Sequence, residues 1–484
     1  MSAAANMPTA NTPAANMPTA KLPASNIPTG VLSQQLADAI ADRRVRAAVF
    51  ATFTFDPGFF ELHVLPLLFH QSFSQVDRLR RVQLEDALRS IEHMAVYYDR
   101  SALAQDAEPA GLDYRRIDVS RLAGGCFHPK VIFLLVEDPT GADEKHDFPR
   151  SFPSLIVAVM SANLTRAGWW ENLECAHIEE VKDRDWRDVR RGEKSRPRRC
   201  SWRRDALALI RRLSESVDTG EDQTALETIH RFLRNRTHQG RFRHSASGGR
   251  HHARLFCGHR GLRFTDWLAD AKLYQGWNLE VVSPYFDTHG AGPLPELIEA
   301  LQPREVRIYL PRENDGTAML EKKTYQAVAE HALWSELAPE LTARGRDTTS
   351  AKLPPRRVHA KVYRLWHKRE GEMLIVGSVN LTEAAHSRGD AGNLEAAFLV
   401  DVTTRGRRRW WLKPIESEPA EFTEKPPQEE DGLQPAPIDL SLRYDWAGEE
   451  LAYRLAGPAP GGFEVCDATG GPIAKIDRPR KNRW

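Results

Sequence analysis

Gly124-Gly125-Cys126-Phe127-His128-Pro129-Lys130 leads through an apolar run, Val131 to Val136, into Met160-Ser161-Ala162-Asn163-Leu164-Thr165 and then Asn172-Leu173-Glu174. Far downstream the same order returns: Val358-His359-Ala360-Lys361, a strand-like run, Val376-Gly377-Ser378-Val379-Asn380-Leu381-Thr382, and Asn393-Leu394-Glu395. One His-x-Lys is uninformative, since it arises by chance and commonly marks a solvated surface. Two copies, each followed by Ser-x-Asn-Leu-Thr and Asn-Leu-Glu, indicate a unit written twice. Residues two apart on a strand share a face, so each His-Lys pair and each Ser-Asn pair points one way. Two such halves facing each other supply two imidazoles, two ammoniums and two amides around one centre.

A second echo is independent of those motifs. Val45 to Phe55 reads as a strand, Asp56-Pro57-Gly58 as a turn, and Phe59 to Phe69 has helical spacing of its apolar residues. Leu279 to Phe286, Asp287 and Leu294 to Leu301 repeat that strand, turn and helix. The expected fold is α/β, with two pseudo-symmetric halves over 31–235 and 236–403, and a helical stretch from Ala206 to Arg236 between the catalytic motifs. A basic-aromatic patch, Arg405 to Trp411, opens a linker over 404–437 that is rich in Pro and Glu. Residues 438–484 read as a short β-rich segment, too small to bury a sandwich core of its own. Residues 1–30 are three ten-residue Pro/Ala/Asn repeats, with too little large apolar surface to offset the entropy of ordering.

The chain has 484 residues and a formal net charge of +1, so any attraction to phosphate must come from local clusters of Lys and Arg. Its 5 cysteines are scattered without a Cys-x-x-Cys pair and read as reduced thiols. No His or Cys falls at the spacing of a zinc site, and no metal or cofactor is implied. Apolar runs have strand length, and the N-terminus lacks the basic start and apolar core of a signal peptide, so a cytoplasmic location without membrane insertion is expected.

The paired motifs suit a phosphodiester. A neutral His can attack phosphorus while a second, protonated His gives a proton to the leaving oxygen. Lysines and amide donors then hold the non-bridging oxygens as charge builds. Ser161 and Ser378 are candidates for phosphate binding or support, and Glu174 and Glu395 for accepting an imidazole N–H and fixing its tautomer.

These motifs resemble the duplicated signature of the phospholipase D superfamily, and Ser161-Ala162-Asn163-Leu164-Thr165-Arg166-Ala167-Gly168-Trp169 is similar to its tyrosyl-DNA phosphodiesterase branch. The resemblance implies a duplicated α/β/α sandwich with mixed sheets and a metal-independent reaction through a covalent phosphohistidine. It makes His128 the nucleophile, His359 the general acid and then base, and Lys130, Asn163, Lys361 and Asn380 the phosphate-holding set. Family members commonly carry an Asp five residues after the Lys. Here those positions are Leu135 and Trp366, a departure shared with tyrosyl-DNA phosphodiesterases and directed away from the lipid-cleaving branch.

Lys182 to Arg204 and Arg231 to Arg263 interleave arginines with aromatic rings, a composition suited to a nucleic-acid strand. Arg198, Arg199, Arg241, Arg243 and Trp169 are the candidate contacts. A nuclease or DNA-end phosphodiesterase is expected, with DNA favoured over RNA. Likeness to bacterial phospholipase D-like proteins of phage-defence loci implies a helicase or other defence partner. The alternatives are a phospholipid hydrolase or phosphatidyltransferase, and a catalytically inactive nucleic-acid-binding subunit.

Overall fold

A computed structural model describes residues 30–102, 110–119, 125–137, 153–183, 198–217, 222–240, 253–258, 262–268, 275–343, 354–387, 392–402, 408–426, 439–445, 448–456, 461–466 and 469–477. The first sheet contains β1 (Arg44–Thr52), β2 (His93–Asp99), β3 (Arg115–Val119), β4 (Val131–Glu137), β5 (Pro153–Met160) and β6 (Ala176–Lys182), in the order β3-β2-β1-β4-β5-β6. β1, β2 and β3 are parallel; β4, β5 and β6 continue antiparallel. A short parallel pair, β7 (Arg198–Cys200) and β8 (Thr237–Gln239), follows.

The second sheet contains β9 (Ala253–Cys257), β10 (Asn278–Val282), β11 (Val306–Tyr309), β12 (Leu333–Leu337), β13 (Val362–His367), β14 (Gly371–Gly377), β15 (Ala396–Asp401) and β16 (Leu412–Pro414). Its order is β16-β12-β11-β10-β13-β14-β15-β9. Stripped of its two edge strands, this is the first sheet again, with the same three parallel and three antiparallel members. The duplication read from the motifs is thus a duplication of topology.

Both faces of the central strands are covered, which is why Val131-Ile132-Phe133-Leu134-Leu135-Val136 is apolar throughout. Val131, Phe133 and Leu135 point into a core shared with β15, β9 and the helices Arg203–Glu215 and Thr224–Arg236. Ile132, Leu134 and Val136 point to the opposite face, under the helices Leu32–Ile40 and Asp77–Leu88. The shared core joins the two halves. A third core packs the helix Leu294–Leu301 and Trp277, Trp334 and Tyr363 on the second sheet.

The expected helical stretch Ala206 to Arg236 holds two helices, Arg203–Glu215 and Thr224–Arg236. Phe59 to Phe69 is a helical turn capped by Asp56, whose Oδ1 accepts from the Phe59 N–H at 3.0 Å, followed by a π turn, Phe60–Val64, and a 3-10 turn, Leu65–Leu68. Pro66 lacks an N–H and cannot continue an α-helix.

The basic-aromatic patch is folded onto the second sheet. The Arg307 guanidinium lies 3.7 Å from the Trp410 ring centroid and that of Arg364 lies 4.3 Å from Trp411. Glu280 accepts the N–H groups of Trp411 (2.7 Å) and Leu412 (2.8 Å), and a charged side-chain hydrogen bond from Arg364. Burial pushes the Glu280 carboxyl up, against the pull of Arg364. Near the C-terminus, Asp439–Asp445 pairs with Glu450–Ala456 and Phe463–Cys466 with Pro472–Ile476, two hairpins. Among the described residues no helix is long and apolar enough to cross a membrane.

Candidate active site

Each His-x-Lys segment lies just before the strand that follows it, and each is stitched to the other half. Phe127 bridges Leu394, with His128 N–H donating to the Leu394 carbonyl (3.0 Å) and Leu394 N–H to that of Cys126 (3.0 Å). Leu173 bridges Val358, with His359 N–H donating to the Leu173 carbonyl (2.9 Å) and Leu173 N–H to that of Arg357 (2.8 Å). Gly125, with φ of 70°, supplies the left-handed turn that enters the first segment.

This stitching crosses the orienting carboxylates between halves. His128 Nδ1 is 2.8 Å from Glu395 Oε2, and His359 Nδ1 is 2.8 Å from Glu174 Oε1. Lys130 Nζ lies 2.8 Å from His128 Nε2, and Lys361 Nζ lies 2.7 Å from His359 Nε2. A carboxylate only accepts and an ammonium only donates, so each neutral imidazole carries its proton on Nδ1 and presents a lone pair at Nε2. All four side chains are buried, at 1–6% exposure, so the electrostatic coupling acts with little screening.

Burial alone would raise the Glu174 carboxyl, but the charges of His359 and Lys361 and the Ser161 hydroxyl hold it below the ordinary glutamate range. Ser161 donates to Glu174 and Ser378 donates to Glu395. Each hydroxyl oxygen also accepts a backbone N–H, from Cys175 (2.9 Å) and from Ala396 (3.0 Å). With its one proton committed to a glutamate, neither serine has a donor left for a phosphate oxygen, so their place is in support of the carboxylates and not on phosphate.

Asn163 and Asn380 are buried at the ends of β5 and β14. The Asn163 Oδ1 accepts the Thr54 N–H (3.2 Å), leaving the amide NH2 as its donor end. Thr52 accepts the Leu164 N–H and Ser283 accepts the Leu381 N–H, both at 3.0 Å, so the turn after each Asn is fixed by a hydroxyl at the end of a central strand of its own sheet, β1 or β10. The aromatic neighbours differ. Phe53 lies beside His128 (ring centroids 5.1 Å) and under Lys130 (5.4 Å); Tyr285 lies beside His359 (5.9 Å) and under Lys361 (5.5 Å).

Sequence reading missed Asn172 and Asn393, whose amides donate to Glu174 (3.3 Å) and Glu395 (3.1 Å). Their recurrence two residues before each glutamate was the available signal. Leu135 and Trp366, at the positions of the missing aspartates, are core residues at 4% and 1% exposure. Trp169 is corrected: its ring is buried in the outer core of the first sheet and is not placed to stack on a base. Arg198 and Arg199 lie on β7, with side chains outside the described ones, and Arg241 and Arg243 fall outside the described residues. The thiol of Cys175 follows Glu174 directly. It donates to the Lys361 carbonyl at 3.3 Å, and burial pushes its titration up.

No family model and no curated protein matches the sequence. Among solved structures the chain is similar to the yeast tyrosyl-DNA phosphodiesterase, at 10% identity over 75% of this chain and 84% of that one, with a TM-score of 0.46. It is also similar to phosphatidylserine synthase of Haemophilus influenzae Rd KW20, at 10% identity over 76% and 80% (TM-score 0.38). Polyphosphate kinase of Porphyromonas gingivalis aligns at 10% identity over 79% and 44% (TM-score 0.34). With its strand order written twice and its paired half-motifs brought to one seam, the chain has the duplicated α/β architecture that its motifs lead one to expect.

Proposed function

We propose that the chain hydrolyses a phosphodiester in a nucleic-acid strand, DNA in the first instance, through a covalent phosphohistidine. The observation that carries this reading is the crossed pair of dyads, each imidazole held at Nδ1 by a buried carboxylate with Nε2 turned to a lysine. His128 Nε2 forms a bond to phosphorus as the bond to the leaving oxygen breaks, and His359, protonated on both nitrogens, gives its Nε2 proton to that oxygen. His359 then takes a proton from water, whose oxygen attacks phosphorus and releases His128. The products are a phosphomonoester and an alcohol. Lys130 and Lys361 leave the imidazoles for the non-bridging oxygens when substrate enters, joined by the amides of Asn163 and Asn380.

The assignment of roles has support in accessibility. The His359 and Glu174 side chains are 7% and 8% exposed, against 3% and 0% for His128 and Glu395. The more accessible pair suits the histidine that must exchange protons with leaving group and water.

Labelled single- and double-stranded DNA incubated in EDTA tests the reaction class: cleavage persists if lysines and amides carry the charge, and a strict divalent-ion requirement refutes the scheme. A phosphoenzyme that survives His359→Ala and disappears with His128→Ala supports the roles; the opposite pattern exchanges them.

A further inference from the structure

Ala167–Glu171 forms a π turn immediately after the Asn163 motif. Such turns insert one extra residue into a helix and recur at functional sites. A side chain at Gly168 would place its Cβ 2.5 Å from the Asn163 carbonyl oxygen, so the glycine allows this turn to sit directly on the backbone of the amide. Thr165 caps it, accepting the Gly168 N–H at 3.2 Å. The turn sends its two tryptophans to opposite sides: Trp169 into the core, and Trp170 outward with 41% of its surface exposed.

Trp170 is held by its surroundings. Its ring meets Phe59 (centroids 4.9 Å) and His63 (4.4 Å) edge to face, and the Arg166 guanidinium lies 5.6 Å from it. Arg166 in turn pairs with Glu171 at 3.0 Å. Arg356 Nη1 donates to the Trp170 carbonyl at 2.6 Å, tying the turn to the segment that leads into His359. The next residue, Arg357, is exposed, with its guanidinium 6.0 Å from the Tyr285 ring that flanks His359 and Lys361. Trp170, Arg356, Arg357, Tyr285 and His359 thus form one continuous track. Trp170 and Glu174 are four residues apart, a span of at most about 14 Å of extended chain, the reach of a few nucleotides at most.

Among the described residues, the matching turn of the other half carries no exposed ring. Thr382 caps the matching turn through the Ala385 N–H, which aligns Trp169 with the buried His386 and Trp170 with Ser387.

Resting on the phosphodiesterase reading above, we propose that Trp170 is a base-stacking platform for a single-stranded nucleic acid. Arg357 and Arg166 take the adjoining phosphates, so that a nucleotide on the His359 side of the scissile bond is gripped. An aromatic face beside guanidinium groups is the chemistry that binds unpaired bases with little regard to their identity. Because the matching position of the other half is Ser387, the platform gives the strand a direction through a site that is otherwise nearly two-fold.

The test is equilibrium binding of short fluorescent single strands, read by anisotropy in a His128→Ala background that prevents turnover, alongside cleavage by the otherwise wild-type chain. Trp170→Ala is expected to weaken binding roughly 5- to 150-fold, the range for one base–aromatic stack, and Trp170→Phe to recover most of it. Thermal melts check that both variants are folded. A single abasic residue walked along the strand should find one position whose penalty matches that of Trp170→Ala and vanishes in the Trp170→Ala protein. Cleavage with no dependence on Trp170 overturns the platform and leaves the phosphodiesterase reading intact. Trp170-dependent binding without cleavage does the reverse, and absence of binding overturns both.

Discussion

Glu395→Gln is the substitution that most directly examines the crossed dyads. The Glu395 Oε2 accepts from His128 Nδ1 and from the Ser378 hydroxyl, while Oε1 accepts from the Asn393 amide. All three neighbours donate, so a glutamine, which has one oxygen and one NH2, cannot satisfy them. If its oxygen faces His128, the NH2 opposes that of Asn393 and a charged hydrogen bond becomes a neutral one. That difference is about 1–2 kcal/mol, or roughly 5- to 30-fold in rate. If its NH2 faces His128, the imidazole must move its proton to Nε2, and the nucleophilic lone pair is lost. An imidazole in the wrong tautomer costs on the order of 10⁴-fold. Phosphoenzyme formation should therefore slow by about 5- to 10⁴-fold. The assay is single-turnover cleavage of two nucleotide phosphodiesters, one with an alkyl leaving group and one with p-nitrophenolate, which departs without a proton. On the proposed roles Glu395 serves the nucleophile, so its variant should lose as much on both substrates. On the same proposal Glu174 serves the acid, and the deficit of Glu174→Gln should shrink at least tenfold on the p-nitrophenyl ester. If the activated ester rescues Glu395→Gln and not Glu174→Gln, the reasoning is refuted.

Trp169→Ala should destabilise the fold by about 3–5 kcal/mol in chemical denaturation, because its buried ring fills the core beneath the Asn163 turn. Glu280→Ala leaves two backbone N–H groups unanswered behind the second sheet while Arg364 keeps Glu372, and should cost about 1–3 kcal/mol with loosening of the Trp410-Trp411 segment, visible as faster proteolysis near 408–414. Glu174 titrates below its ordinary value of 4.5 in the folded chain, so its contribution to stability is present above that pH and is lost as pH falls through the lowered value. The stability gap between wild type and Glu174→Gln should accordingly narrow on acidification below about 4.5; a gap that widens there would contradict the pairing with His359.

The repeat of His-x-Lys, Ser-x-Asn-Leu-Thr and Asn-Leu-Glu made the doubled topology legible, because each motif sits where a strand begins or ends and its spacing is set by strand length. What the sequence could not disclose was the partner of each carboxylate. Glu174 is much nearer His128 than His359 along the chain, yet the contact depends on which segments bridge, and Leu173 meets Val358 only after both sheets are built. The same gap separated Trp169 from Trp170. Adjacent residues on a helical turn point in directions roughly 90–100° apart, so one of the pair must be inward, but only the close approach at Gly168 settles which. Serine beside a catalytic amide was ambiguous for a different reason: a hydroxyl has a single proton, and its recipient is a matter of a few ångströms that no spacing encodes.

The crossed dyads also explain why one chain carries both halves as a unit. Within the first half alone, His128 would keep its lysine but lose the carboxylate that sets its tautomer, and Glu174 would be a buried anion without its imidazole. A buried charge deprived of its partner costs several kcal/mol, which makes the orienting groups a penalty when the halves are apart and an asset when they meet. The stitching at Phe127–Leu394 and Leu173–Val358 therefore ties stability and chemistry to the same seam. A substitution that loosens the seam should disorder both imidazoles together, so His128 and His359 should lose function in concert even when only one of the two bridges is disturbed.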